Sequence, residues 1–352
     1  MNRKTVPKIL DKKYFNGLDV LRAFSLVLVV ISHVLFNDDG TIGKMHLGTI
    51  GVDVFFVISG FLITTLICKE IAANGQFDLR AFFIRRAFRI LPVVFLFTIV
   101  LFFLNHFYSL NISSSSLISG LLFYRNFPYI QGVWENGHLW SLSVEEQFYI
   151  VFPTFLFLLK ENIYFKFLLI FLIAIPGVDY LHYNSLLPEG LFNKFIAIFA
   201  NIFSKGTYMI IIGSLGALLV FKNERFFNFI YNSNCKIFWS IFSLTFITVL
   251  STNSYLTLSP FVSRTILGIG VFVIIILNLS REKIELLFWD NPILIYLGKL
   301  SYSLYIWQQL FTYKQPWGGG ILLNLICLLL VSIISYHLIE MNFIKLRKSL
   351  GY

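Results

Sequence analysis

Charge is scarce in this chain of 352 residues. Asp, Glu, Lys and Arg make up 13% of it, about half of the quarter usual in soluble domains. A soluble protein of this length cannot cover its surface with so few charges, which excludes a soluble enzyme, a disordered tail and a nucleic-acid module. Acidic residues are the scarcer sign, 18 against 28 basic, for a net charge of +10. Cysteine is scarce too: three are present, with no CxxC or Cys/His pairing, so neither a disulfide framework nor a metal site is expected. No small-residue cleavage site follows the first apolar run, and no cleavable signal peptide is expected. The P-loop, HExxH and GxSxG patterns are missing. What remains is apolar: 57% hydrophobic residues and a mean hydropathy of +0.77. This is the composition of an integral membrane protein.

A membrane-spanning helix needs about 20 mostly apolar residues. Ten stretches are predicted as spans: 18–36, 50–68, 90–108, 143–160, 163–177, 207–221, 237–251, 261–279, 293–311 and 321–340. The apolar stretch 191–203 is shorter and reads as an interfacial or re-entrant helix. The apolar runs are continuous and do not alternate, which argues against a strand barrel. With both termini in the cytoplasm, the cytoplasmic parts hold 20 Lys and Arg and the outer parts six, as the positive-inside rule requires of an even number of spans. The fold expected is therefore all-α, about ten transmembrane helices, one membrane domain over 1–352 with a cytoplasmic arm 1–17 and a cytoplasmic tail 341–352. No room is expected for an appended soluble domain.

Ionisable residues within or beside a span are costly and point to function. Asp19 and Arg22 are three apart and can pair on a helix. His33 lies eleven residues beyond Arg22, on nearly the same helical face and about 16 Å along the axis. A snorkelling arginine and a packing histidine are the alternative. Asp53, in Gly51–Gly60, enters its span from the outside at a depth like that of His33, where a carboxylate can hold an imidazole tautomer; a dipole-favoured aspartate at a helix start is the alternative. Arg85, Arg86 and Arg89, before Pro92, offer planar forks suited to phosphate oxygens, or serve only as a positive-inside cluster. In His138–Tyr149, Ser143 and Glu146 have capping-box spacing, which leaves Glu145 as the carboxylate without a structural explanation. Glu340 is expected to pair with Lys345 and Arg347. Tyr305 and Trp307, in Ser301–Gln308, and the aromatics of loop 123–140 suit either interfacial anchoring or sugar contact.

Four of these motifs together resemble the membrane acyltransferase-3 family: Gly17–Ala23 with His33 against GLDxLRA and a following His, Gly51–Phe61 against GVDxFFVxSGF, Arg85–Pro92 against RRxxRIxP, and His138–Tyr149 against HxWSLSxEEQFY. They occur in the family's order and rough spacing. Ser301–Gln308 is similar to SYSLYLWH, with Gln308 where many members have His. The family includes O-acetyltransferases of lipopolysaccharide O-antigen and other surface polysaccharides. The resemblance implies ten spans, an acyl-coenzyme A donor on the cytoplasmic side and, as acceptor, a sugar hydroxyl.

On that resemblance, Arg22, Arg85, Arg86 and Arg89 are expected to hold acetyl-CoA. His33 is expected to act as general base or acyl carrier, oriented by Asp53 or Glu145. Trp140, Ser143, Tyr305 and Trp307 are the expected substrate contacts. The partners expected are the bilayer and a carbohydrate or lipid-linked sugar, with no nucleic acid. A transporter or flippase of lipid-linked sugars is the rival from another class; it needs no histidine aligned with a phosphate patch.

Overall fold

The computed structural model of the protein describes residues 6–12, 14–35, 47–127, 129–130, 133–159, 161–183, 190, 195–196, 199, 206–223, 225, 227, 260–279, 289–312 and 317–352. Among the described residues the regular structure is helical throughout. A 3-10 turn, Lys8–Leu10, precedes α1 (Asn16–Val34), α2 (Leu47–Asn74), α3 (Leu79–Tyr108), α4 (Ser114–Leu121), α5 (Trp134–Gly137), α6 (Leu139–Leu158) and α7 (Glu161–Tyr183). Then come α8 (Thr207–Lys222), α9 (Pro260–Leu279), α10 (Pro292–Phe311), α11 (Ile321–Ile334), a π-helical stretch Ser335–Glu340, and α12 (Met341–Ser349). The expected span 237–251 lies outside the described residues, as does nearly all of 191–203.

Among the described residues, four helical stretches are long and apolar enough to cross a bilayer: Asn16–Val34, Leu47–Asn74, Leu79–Tyr108 and Ile321–Ser349. Shorter apolar helices stand at Asn162–Ile175, Thr207–Lys222 and Arg264–Leu279. The polarity of α11 shows what surrounds them. Its buried residues are Asn324, Leu328 and Ser332, one turn apart, two of them polar. Most of its other leucines face outward, Leu322 at 74% exposure. A soluble helix arranges itself the other way round; outward leucines suit a hydrocarbon solvent.

Helix ends follow local chemistry. Asp78 Oδ1 accepts the Ala81 N–H at 2.9 Å and starts α3 there. The arginine cluster, just before the expected span 90–108, therefore lies on the same helix as that span. Asn291 caps α10, accepting from Ile293 at 2.9 Å, with Pro292 at the first position, where a missing N–H costs nothing. The expected capping box at Ser143 does not form. α6 begins at Leu139, and Ser143 Oγ donates instead to the Leu139 carbonyl at 2.8 Å, inside the helix. The expected tail from residue 341 is also helical, continuing the last span through the π-helical stretch to Ser349.

α1 packs between α2 and α10, and α2 runs along α8. Small residues permit these approaches. A Cβ built at Gly213 would overlap the Val57 carbonyl, and one at Gly60 the Ile210 carbonyl, so α2 and α8 meet backbone to backbone through reciprocal glycines. A Cβ at Gly298 would overlap the Asp19 carbonyl, so α10 sits directly against the start of α1. Gly298→Ala is expected to push these helices apart and to lower the melting temperature in detergent, without change at an exposed control such as Gly320→Ala, where a Cβ meets open space.

Two apolar clusters result. One joins α2, α6, α8 and α9 around Phe56, Phe61, Phe152 and Met209. The other joins α3 and α10 around Val93, Phe97, Leu300 and Trp307. Tyr305 packs against both.

Candidate functional site

A cavity of about 110 Å³ opens between the clusters. Arg22 from α1, Arg86 and Arg89 from α3, Ser59 from α2, Glu145 and Tyr149 from α6, and Tyr302 and Tyr305 from α10 line it. Three of the four expected phosphate-binding arginines thus converge. Each guanidinium is held differently. Arg22 donates to Asp19 Oδ1 at 2.9 Å, the predicted pair three residues apart. Tyr14 donates to the other Asp19 oxygen; burial and that carboxylate raise its phenol above the usual range, so it stays a donor. Arg86 stacks on the Tyr149 ring, 3.7 Å from its centroid, with Glu146 at 3.9 Å. Arg89 lies 3.9 Å from Glu340. Both of these ion pairs are looser than a direct hydrogen bond, which leaves the two guanidiniums with donors to offer a ligand.

Arg85 stands apart from its neighbours. It does not line the cavity; its guanidinium donates to Glu70 Oε2 at 2.8 Å. Arg85 leaves the helix about 100° around from Arg86, and of the two only Arg86 lines the cavity. Glu340, expected to pair with Lys345 and Arg347, is 2% exposed. It faces Arg89 and accepts from Ser303 Oγ at 3.3 Å, because the wider π-helical turns carry it inward.

Glu145 lines the cavity and accepts from Ser59 Oγ at 2.7 Å. It is fixed among the arginines rather than beside His33. Asp53 is likewise elsewhere: Arg264 grips it with two N–H donors, at 2.6 and 3.2 Å. The partner that His33 takes is Gln308, whose Oε1 lies 2.6 Å from His33 Nδ1. The expected acid beside the imidazole is therefore replaced by an amide. With the amide oxygen toward the ring, Nδ1 carries the proton and Nε2 keeps its lone pair. Trp134 meets the His33 ring edge-on at 5.2 Å and donates Nε1–H to the Gln309 carbonyl at 3.1 Å.

Asp53 and Arg264 form a bidentate buried pair that is costly to split. Asp53→Asn is expected to destabilise by about 1–3 kcal/mol, below the figure for a fully buried pair because Arg264 is one-third exposed. Adding Arg264→Met should recover part of that loss, measured by thermal unfolding in detergent.

The expected substrate contacts divide. Tyr305 reaches the cavity, and its hydroxyl lies 2.5 Å from Ser141 Oγ. Ser143 is fully buried and accepts from the Arg125 N–H at 3.1 Å, a bond that ties the loop before α5 to α6. Burial lowers the Arg125 guanidinium from its usual range, and its Nε–H donates to Asn136 at 3.2 Å. Trp140 packs edge-on against Phe56 at 6.0 Å. Trp307 is buried against Phe97 at 5.4 Å. Neither tryptophan lines the cavity, and neither does His33. Tyr305 and Ser141 are among the cavity's lining residues, and Gln308, which holds the imidazole, follows Tyr305 by three positions on α10.

Gln308 as a partner of His33 escapes sequence reasoning because the two are 275 residues apart. Two consecutive glutamines inside an apolar helix, Gln308 and Gln309, are the signal that was available: amides within a span need partners.

A family model described as an acyltransferase domain matches residues 15–341. A Staphylococcus aureus (strain COL) protein named "Putative O-acetyltransferase SACOL0978" is 30% identical over 338 residues, which is 88% of this chain and 52% of that protein. "O-acetyltransferase OatA" of Staphylococcus aureus (strain NCTC 8325 / PS 47) is 37% identical over 162 residues, 43% of this chain and 26% of OatA. The chain thus spans about half the length of the first of these relatives. No solved structure matches. With the four motifs in order and a family model across nearly the whole length, the chain belongs to the acyltransferase-3 family.

Proposed function

We propose that the protein is a multi-pass O-acetyltransferase of the bacterial cytoplasmic (inner) membrane. Its chain crosses about ten times with both ends in the cytoplasm, as the distribution of Lys and Arg supports. It moves an acetyl group from cytoplasmic acetyl-CoA to a hydroxyl of a surface polysaccharide or lipid-linked sugar, of the O-antigen kind. The observation that carries this reading is the convergence of Arg22, Arg86 and Arg89 on one cavity, whose lining residue Tyr305 is three positions along α10 from Gln308, the amide that holds one nitrogen of the His33 imidazole.

Coenzyme A is too charged to cross the bilayer, so its phosphates stay at the arginines. Arg86 and Arg89 bind them through charge-assisted hydrogen bonds, with Arg22 deeper along the arm. Glu145, anchored on Ser59, balances the guanidinium charge when the cavity is empty. The thin pantetheine arm carries the thioester toward Tyr305 and past it. His33 Nε2 takes the proton of the acceptor hydroxyl while the oxygen attacks the thioester carbon. The new C–O bond forms, the C–S bond breaks, and the leaving thiolate takes the proton from His33. If His33 instead carries the acyl group, its Nε2 makes the first attack and labelled acyl-protein accumulates when acceptor is withheld; rapid quenching separates the two routes.

The test uses purified protein in liposomes with labelled acetyl-CoA and an acceptor sugar. Ester formation on the sugar supports the reading. Movement of lipid-linked sugar across the bilayer without thioester consumption points to the flippase instead.

A further inference from the structure

His138 is 3% exposed and takes no part in the chemistry above. Its protonation state is fixed by geometry. The backbone N–H of His138 donates to Gln309 Oε1 at 2.9 Å. A backbone N–H can only donate, so the amide atom facing it is the oxygen. The same oxygen lies 2.7 Å from His138 Nδ1, so Nδ1 must carry a hydrogen and donate as well. In the neutral ring Nε2 is then a bare acceptor. It is buried and has no hydrogen-bond partner among the described residues.

Such a group is costly to leave unmade. Its surroundings are otherwise filled: Phe97 and Tyr305 each meet the ring edge-on at 5.5 Å, and the Ile306 carbonyl accepts a hydrogen bond from the ring. His33 and Arg125 are the charged or titratable neighbours that act on it. The place in the fold is equally specific. His138 and His33 are held by consecutive residues of α10, Gln309 and Gln308, in the same way. Trp134 touches both arrangements, through the Gln309 carbonyl and the His33 ring. The Tyr305 hydroxyl donates to the His138 carbonyl at 3.2 Å and meets Ser141, so Tyr305 touches both the arginine cavity and this second imidazole. Both histidines are therefore tied to one stretch of α10, through Gln308 and Gln309.

We infer that His138 is a second substrate-binding imidazole, whose free Nε2 accepts a hydrogen bond from a hydroxyl of the acceptor adjacent to the one being acetylated. The acceptor class is then a vicinal diol: His33 takes the proton of one hydroxyl, and His138 holds the other without forming or breaking a bond. This deepens the acetyltransferase reading and rests on it.

A site built to pair a hydroxyl discriminates strongly against the analogue lacking it. The probes are a methyl hexopyranoside and its monodeoxy derivatives, with labelled acetyl-CoA and protein in liposomes. Wild-type protein is expected to prefer the diol acceptor by at least about tenfold in kcat/KM over the derivative lacking the neighbouring hydroxyl. His138→Phe should reduce that preference below about threefold, with KM for acetyl-CoA unchanged. His138→Gln, which places an amide oxygen near the position of Nε2, should keep much of it. Gln309→Leu, which frees the ring without removing it, should lose it as His138→Phe does. Gel filtration and thermal unfolding establish that each variant is folded. Retained preference in folded His138→Phe overturns the inference, as does a wild-type protein that treats the acceptors alike or acetylates none of them. A rise confined to KM for acetyl-CoA assigns His138 to the donor and also overturns it. Absence of any acetyl-CoA turnover, with or without acceptor, strikes the acetyltransferase reading instead.

Discussion

Arg86→Gln is expected to raise KM for acetyl-CoA by about 10- to 100-fold, whereas Arg85→Gln, one residue away, should change it by less than about threefold. The figure follows from a charge-assisted hydrogen bond contributing about 1.5–3 kcal/mol, with each 1.4 kcal/mol worth a factor of ten. The contrast follows from phase. Arg86 and Arg89 turn toward the cavity, with only loose ion pairs at 3.9 Å. Arg85 points elsewhere and is already committed to Glu70. Arg86→Lys should recover little, since an ammonium neither stacks on Tyr149 as a guanidinium does nor offers a planar fork. Isothermal titration with coenzyme A checks binding apart from turnover. Equal losses at positions 85 and 86 would place the phosphates outside the cavity.

His33→Ala should lower acetyl transfer by about 10²- to 10⁴-fold, the range of a positioned proton acceptor, while leaving coenzyme A affinity near wild type. Gln308→Met tests the tautomer. It preserves approximate volume but removes the oxygen that holds Nδ1–H, so transfer should fall by about tenfold with the same donor affinity. Asp53→Asn, by contrast, acts through stability: its partner is Arg264, and correcting its rate for the folded fraction should bring it close to wild type. Loss of transfer in folded Asp53→Asn, with Gln308→Met unaffected, would return the orienting role to the carboxylate.

Much of this was legible beforehand, for reasons that can be stated. Sparse charge makes each ionisable residue in an apolar run conspicuous, so Arg22, His33, Asp53 and Glu145 stood out. Helical spacing placed Asp19 on Arg22, as found. Contacts between distant segments were not legible. Nothing local says that His33 meets Gln308, or that Asp53 meets Arg264 across 211 residues. Short signals also misled where the register was unknown. Ser143 and Glu146 have the spacing of a cap, yet α6 starts four residues earlier, at Leu139. Ser143 then serves the Arg125 backbone, and Glu146 is released toward Arg86. Charge density and spacings of three and four residues grouped Arg85 with Arg86 and Arg89, although Arg85 turns to Glu70 and away from the cavity.

The π-helical stretch Ser335–Glu340 has a consequence for how the last helix tolerates change. Each of its turns takes in more residues than an α turn, so it acts as a phase adapter between a lipid-facing segment and an inward carboxylate. Deleting a single residue there would let the helix rewind to the ordinary pitch. The carboxylate of Glu340 would then swing off Arg89 toward the acyl chains, and every side chain beyond it would rotate by a similar amount. Length in these six positions is thus more constrained than identity: conservative exchanges such as Ile339→Leu leave the clocking intact, whereas a one-residue deletion disconnects the arginine cavity from its only carboxylate on the last helix among the described residues.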